Sequence, residues 1–167
     1  MSSHFDDRIV ADFLRRSYFA VDGLWFVKAE ENYSFGDALR LDESVWRIMP
    51  KIQSRRAREL LGIDGGSLEG LIRCFELKLV SEGYCYEINR SSDQEAEIVI
   101  STCPWYSILV KAGREHLAAQ IADVICSNEF KVWADEFSKD LTSVITERLC
   151  DGCSRCVVRF ECKRAQD

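Results

Sequence analysis

The spacing of the apolar residues changes at Gly83, and this change constrains the fold more than any other feature of the sequence. Ahead of Gly83, Ser67 can cap a helix whose apolar residues share one face: Leu68, Leu71, Ile72, Phe75 and Leu79. Behind it, two runs separated by a turn at 91–94 alternate with a period of two: Tyr84, Tyr86 and Ile88, then Ala96, Ile98, Ile100 and Thr102. Helical spacing followed by two alternating runs predicts an amphipathic helix and then a β-hairpin.

Helical spacing also governs the chain before this point, and a second hairpin is predicted near its end. Residues 5–61 keep helical spacing, and a further helical region begins at Pro104, with Cys103 as its N-cap. Residues 141–149 and 156–162 have the composition of strands and flank a short cysteine-bearing loop. The fold class is therefore α+β, with a helical N-terminal half packed on an antiparallel sheet of about four strands.

The boundaries of helices and of the domain follow from a few residues. Asp42 is expected to cap a helix around residues 45–52, and Pro50 to kink or split that helix. Ser127 or Asn128 is expected to separate two helices in the later helical region. A single domain spanning 1–167 is expected, because no linker or repeat interrupts the chain and 167 residues suffice for one buried core.

Composition argues against several classes of function. The 28 acidic residues outnumber the 22 basic ones and give a net charge of −6, which argues against nucleic acid as a partner. No apolar run approaches the roughly 20 residues of a membrane span, and the N-terminal residues lack the apolar stretch of a signal peptide. We therefore expect a cytoplasmic protein, in which the eight cysteines serve as thiols, metal ligands or catalytic sulfur rather than as disulfides.

Three cysteines within seven residues form the most distinctive motif. Cys150, Cys153 and Cys156 surround Gly152, and overlapping Cys-x-x-Cys steps let several sulfurs converge on one metal. The metal is zinc or an iron–sulfur cluster: the spacing favours the cluster, whereas a histidine ligand favours zinc. Cys162 is not expected to be a ligand, because a strand from Cys156 to Cys162 separates the two sulfurs by roughly 20 Å.

Cys103 and Cys126 are candidates for the fourth metal ligand, and Cys103 also has a candidate catalytic role. A thiol at the start of a helix is expected to have a lowered pKa, because the exposed N–H groups and the helix dipole stabilise the thiolate. Cys103 as nucleophile and His116 as base would form a catalytic pair. Alternatively, His116 supplies a nitrogen ligand to a sulfur-rich zinc site.

The C-terminal motif resembles a known group of proteins. The segment Glu147-Arg-Leu-Cys150, followed by Cys156, Val158 and Phe160, resembles the ending of vinyl-4-reductase-type domains. Those are small-molecule-binding domains related in fold to the Golgi-transport (TRAPP) subunits and the haem–nitric-oxide-binding proteins. The resemblance implies an α+β fold, a hydrophobic ligand pocket, a metal bound by Cys150 and Cys156, and dimerisation through helices.

A second resemblance points to hydrolysis. The L-2-amino-thiazoline-4-carboxylic acid hydrolase-like family is resembled by Cys103-Pro104, Gly113-Arg-Glu-His116, Cys126 and the terminal strand from Cys156 to Phe160. The two resemblances together cover residues 84–162.

Three functions therefore stay open. The preferred one is a small-molecule- or metal-binding sensor or accessory domain with the cysteine-rich metal site, in which aromatic residues such as Trp25 and Trp46 line an apolar pocket. The second is a hydrolase that uses Cys103 and His116. The third is a structural subunit that forms a homodimer or joins a larger assembly.

Overall fold

The computed structural model describes residues 5–163, in which helices and antiparallel strands alternate as whole blocks. The helices are α1 (Asp7–Asn32), α2 (Phe35–Trp46), α3 (Met49–Leu61), α4 (Leu68–Glu82), α5 (Pro104–Lys111) and α6 (Ala118–Phe137). The strands are β1 (Cys85–Ser92), β2 (Glu95–Thr102), β3 (Leu141–Glu147) and β4 (Cys156–Cys162), and two 3₁₀ turns cover Glu115–Leu117 and Leu149–Asp151. Within residues 5–163, no helix combines the length and the apolarity needed to cross a membrane.

Two compact units divide the chain, one up to Asp42 and one from Glu43 onward. The first contains α1 and most of α2, and the second contains the remaining helices and all four strands. The expectation of a single domain stays a prediction.

The four strands form one antiparallel sheet in the order β1-β2-β4-β3. Val158 of β4 is paired with Ile98 of β2 on one side and with Ile145 of β3 on the other. Because side chains alternate across a strand, these residues and Phe160 point to the same face of the sheet. The predicted α+β class with a four-stranded antiparallel sheet is confirmed.

Helices α4 and α6 cover that face and complete the core. Phe75 lies at its centre, with ring centroids 5.1 Å from Trp133 and 5.6 Å from Phe160, both in edge-to-face geometry. Phe75, Trp133 and Phe160 have no solvent exposure. Each large apolar side chain buried in this way contributes roughly 1.5–3 kcal/mol to folding. The predicted apolar face of α4 is therefore the face that packs on the sheet.

Two of the predicted helix boundaries are wrong. Asp42 lies inside α2, because Ser34 caps that helix earlier: the Ser34 hydroxyl accepts a hydrogen bond from the backbone N–H of Asp37 at 3.1 Å. Helix α6 runs through Ser127 and Asn128 without a break, since buried residues on both sides hold it against the sheet. The predicted split near Pro50 is confirmed, with proline in the first turn of α3.

Candidate functional site

The loop between β3 and β4 carries Cys150, Cys153 and Cys156, but these thiols do not converge. The Cys150 thiol lies 3.9 Å from Asp151 Oδ1, whereas Cys156 Sγ accepts a hydrogen bond from the backbone N–H of Leu149 at 3.2 Å. Among residues 5–163, no group of three or more cysteine, histidine or acidic side chains is arranged to hold a metal ion. The prediction of a zinc or iron–sulfur protein is therefore wrong.

Burial affects the protonation of these thiols. Desolvation raises the pKa of Cys156 to about 11. Burial likewise raises the pKa of Cys150, Cys103 and Cys126 above that of a free thiol. These predicted ligands are therefore held as neutral thiols, in which form cysteine packs as a small apolar residue.

Cys103 occupies the N-cap position of α5, as predicted, but without the expected lowered pKa. Desolvation raises the pKa of its thiol, and the backbone N–H groups of Tyr106 and Trp105 only partly offset this effect. His116 is exposed in the turn Glu115–Leu117, and within residues 5–163 no hydrogen bond joins it to Cys103. The proposed nucleophile and base are not brought together as a hydrogen-bonded pair, and their catalytic use stays a prediction.

Three charged side chains that were not predicted from the sequence as site residues are buried in the structure. We call Lys78 and Glu82 of α4 and Glu129 of α6 the buried charged cluster; their exposures are 7%, 5% and 5%. Lys78 Nζ lies 2.8 Å from Glu129 Oε1 and 3.3 Å from Glu82 Oε2. The cluster therefore joins two helices through one ammonium group shared by two carboxyl groups.

Neighbouring polar groups satisfy Glu82 and Lys78 further. Glu82 accepts hydrogen bonds from Trp105 Nε1 at 3.0 Å and from Gln53 Nε2 at 3.1 Å. Lys78 Nζ lies 3.5 Å from the Tyr84 hydroxyl and 4.8 Å from the centroid of the Tyr84 ring. The thiol of Cys103 lies 3.9 Å from the same hydroxyl. Side chains from α3, α4, α5 and α6 thus meet at one closed polar site.

The charges of the cluster do not balance if both carboxyl groups are ionised. Burial disfavours the ammonium of Lys78, but the carboxylates of Glu129 and Glu82 outweigh that cost and raise its pKa. For Glu129, burial raises the pKa, and the nearby Glu82 charge adds to the rise despite the attraction of Lys78. The pKa of the Glu129 carboxyl group is therefore raised above its usual value, while Lys78 stays protonated.

The sequence carried a signal for this cluster. Leu71, Phe75, Lys78 and Glu82 recur at spacings of four, three and four, so that the two charged residues continue the apolar face of α4. A lysine and a glutamate four residues apart on an apolar face indicate a buried ion pair rather than a solvated surface.

One groove of about 420 Å³ lies between α6 and the edge strand β3. Apolar and charged side chains both contribute to its walls: Phe130, Ala134, Leu141 and Ile145, with Lys131, Asp135 and Lys163. None of the predicted cysteine or histidine site residues lines it.

Helix α1 presents its apolar side to solvent. Seven large apolar residues, between 40% and 74% exposed, define what we call the apolar α1 face: Ile9, Val10, Phe13, Leu14, Val21, Leu24 and Trp25. The half-buried residues of the helix lie on the other side and include Asp12, Arg15, Tyr18, Phe19, Asp22 and Phe26. Trp25, at 74% exposed, therefore does not line the apolar pocket expected from the sequence.

Comparison with known proteins gives a family and a fold. The family model described as "Family of unknown function (DUF6125)" matches residues 6–158, and no curated protein matches the sequence. A solved structure of similar fold is trafficking protein particle complex subunit 3 from Naegleria fowleri covalently bound to palmitic acid. The TM-score is 0.55 at 11% identity, with 94% of this chain and 97% of that chain covered, so the likeness extends to the fold alone.

Proposed function

This chain belongs to the DUF6125 family, and we propose that it is an assembly module that forms a homodimer through the apolar α1 face. The observation that carries the proposal is the apolar stripe that α1 exposes to solvent. Seven large apolar residues are exposed there, while aromatic residues such as Phe26 and charged residues such as Asp12 lie on the half-buried side. A surface helix normally turns its apolar stripe to the interior. An exposed stripe of this size is typical of an interaction site.

The size of the surface suits a dimer. An aromatic side chain such as Trp25 or Phe13 has about 150–250 Å² to bury, and aliphatic side chains have less. At exposures of 74% for Trp25 and 69% for Phe13, with the five aliphatic residues added, each copy offers several hundred Å² of apolar surface. Stable complexes bury roughly 800 Å² on each partner, so this face supplies most of a standard interface.

The fold neighbour supports an assembly role as well. That protein is a subunit of a trafficking protein particle complex, and a family resemblance in the sequence implies dimerisation through helices. The proposal keeps the cytoplasmic location expected from the sequence, since thiols such as Cys103 and Cys126 stay reduced in that compartment.

Sedimentation equilibrium of the purified chain tests the proposal. The wild-type protein is expected to sediment as a dimer at micromolar concentration. Phe13→Glu combined with Leu24→Glu places two charges in the centre of the apolar α1 face and should shift the protein to monomer. The buried apolar area lost per copy is enough to raise the dissociation constant by at least about a hundredfold.

Arg8→Glu is the matched control, because Arg8 is exposed and lies about half a turn around the same helix from the centre of the apolar α1 face. This variant should remain a dimer, and circular dichroism should show the same helix content in all three proteins. A wild-type protein that stays monomeric up to about 100 μM would overturn the proposal, because this concentration is well above the dissociation constant of a standard interface.

Small-molecule binding is a second candidate, favoured by the groove between α6 and β3. Its volume of about 420 Å³ falls in the range of ligand pockets, and its walls combine apolar side chains with a few charged ones. Native mass spectrometry of the purified protein should then detect a bound mass that Ser143→Phe removes by filling the groove. Thr146→Phe, an exposed position on the same strand, is the control and should retain it.

A further inference from the structure

We infer that the two copies pair with their α1 helices antiparallel, crossing at Ser17. The inference rests on the proposed homodimer and names its geometry. Ser17 is exposed at the middle of the apolar α1 face, as is its neighbour Ala20. Small residues at a crossing let two helix backbones approach closely.

The residues that would meet the partner are arranged symmetrically about Ser17. Val10 and Leu24 lie seven residues on either side of it, and Asp6 and Lys28 lie eleven residues on either side. Seven and eleven residues are close to two and three whole helical turns, so these five residues follow one line along the helix. A face with its own centre of symmetry is what a two-fold interface needs, because the same patch must serve on both copies.

Side-chain size distinguishes the antiparallel pair from the parallel one. In a parallel pair each residue faces its own copy, so that Phe13 would meet Phe13 while Ala20 would meet Ala20. In an antiparallel pair crossing at Ser17, Phe13 of one copy lies at the level of Ala20 and Val21 of the other. At this level the bulky Phe13 opposes the smaller Ala20 and Val21, which avoids the overlap of two phenylalanine rings and the void between two alanines.

The ends of the face favour the same orientation. Asp6 and Lys28 each lie about 16 Å from the crossing along the helix axis, so an antiparallel pair brings Asp6 of each copy to the level of the partner's Lys28. Within one chain Lys28 pairs with Glu31 at 2.6 Å, and its side chain is still 60% exposed and accessible to a further carboxylate. The positive N-terminus of each helix also lies beside the negative C-terminus of the other.

Cysteine cross-linking tests the register. Ser17→Cys should form an intermolecular disulfide with itself on mild oxidation, at least about tenfold faster than the control Arg8→Cys, half a turn around the helix from Ser17. Val10→Cys and Leu24→Cys should not link when each is oxidised alone, because identical positions are about 21 Å apart along the axis. A mixture of these two variants should link. Peptide mass mapping separates these bonds from any formed by the native cysteines.

Sedimentation of the same variants before oxidation separates two kinds of failure. If the variants are dimers but Val10→Cys links to itself and the mixture gives no additional link, the helices are parallel and this inference is overturned while the proposed dimer stands. If the variants are dimers and none of the α1 positions cross-links, the antiparallel register is likewise overturned. If the wild-type protein is a monomer, the proposed function itself fails. Self-linking at Ser17→Cys together with linking in the mixture supports both.

Discussion

Lys78 Nζ lies 2.8 Å from Glu129 Oε1 and joins α4 to α6 at a site closed to solvent. Lys78 stands five residues before Gly83, where the chain leaves α4 and enters the first hairpin. Removing charges from water is costly, and the cost is offset only when partners satisfy them. The integrity of the cluster should therefore decide how strongly the two core helices are held together.

Lys78→Met tests that dependence. The substitution keeps the length of the apolar stem but leaves the carboxyl groups of Glu82 and Glu129 without their ammonium partner. Breaking a buried ion pair from one side costs about 3–5 kcal/mol, so the free energy of unfolding should fall by roughly that amount in urea denaturation. Lys139→Met, at a side chain that is 85% exposed, is the control and should change it by less than about 0.5 kcal/mol.

The pH dependence of stability should report the titration of the Glu129 carboxyl group. Its pKa in the folded protein is raised above the ordinary value of 4.5 by burial and by the charge of Glu82, so the folded state holds this proton more tightly than the unfolded chain. Its contribution to stability is fully present below the unfolded pKa and is lost as pH rises through the folded pKa. As pH rises from about 4 to about 8, the free energy of unfolding should therefore fall less in Glu129→Gln than in the wild type.

Glu59→Gln provides the comparison for Glu129, since its side chain is 68% exposed. Urea denaturation at each pH should show that the unfolding free energy of Glu59→Gln changes with pH as that of the wild type does. If the unfolding free energy of Glu129→Gln also changed with pH as in the wild type, the raised pKa of Glu129 would be contradicted.

Thiol alkylation at neutral pH should follow burial rather than helix position. Cys85 is exposed, whereas burial raises the pKa of Cys103 and Cys126. Because the thiolate is the reactive form, iodoacetamide should label Cys85 at least about tenfold faster than either of the other two. Peptide mass spectrometry after timed quenching measures the three rates. Fast labelling of Cys103 would instead support the hydrolase reading of that residue.

Gly66 should be intolerant of any side chain. A Cβ atom placed there would lie 1.6 Å from the backbone oxygen of Phe137, far inside contact distance, and backbone cannot move aside cheaply. Gly66→Ala should therefore lower the free energy of unfolding by several kcal/mol in chemical denaturation. Gly36→Ala, inside α2 with only Ser34 Oγ at 3.9 Å, should instead be stabilising by up to about 1 kcal/mol.

Local rules predicted the elements well where one residue dominates the local energetics. Ser67 caps α4, Gly83 ends it in the left-handed conformation, and Pro50 opens α3. The same rules were wrong at Asp42 and at Ser127, because a stronger cap upstream and the packing of α6 on the sheet outweigh a single polar residue. Cysteine spacing was wrong about the metal for a related reason: spacing describes reach along the chain and says nothing about whether the folded loop brings the sulfurs together.

The sequence by itself determined the order of helices and strands, because the period of its apolar residues changes from helical to alternating at Gly83 and local turns mark the ends. Tertiary structure decided which charges are buried and which apolar face is exposed. Lys78 and Glu82 entered the interior only because α6 brings Glu129 against them, and α1 turned Phe13 and Trp25 to solvent although both have the composition of a core. Burial depends on what packs against a residue: the spacing of Lys78 and Glu82 indicates a buried pair, but only the packing of α6 supplies Glu129 as its partner.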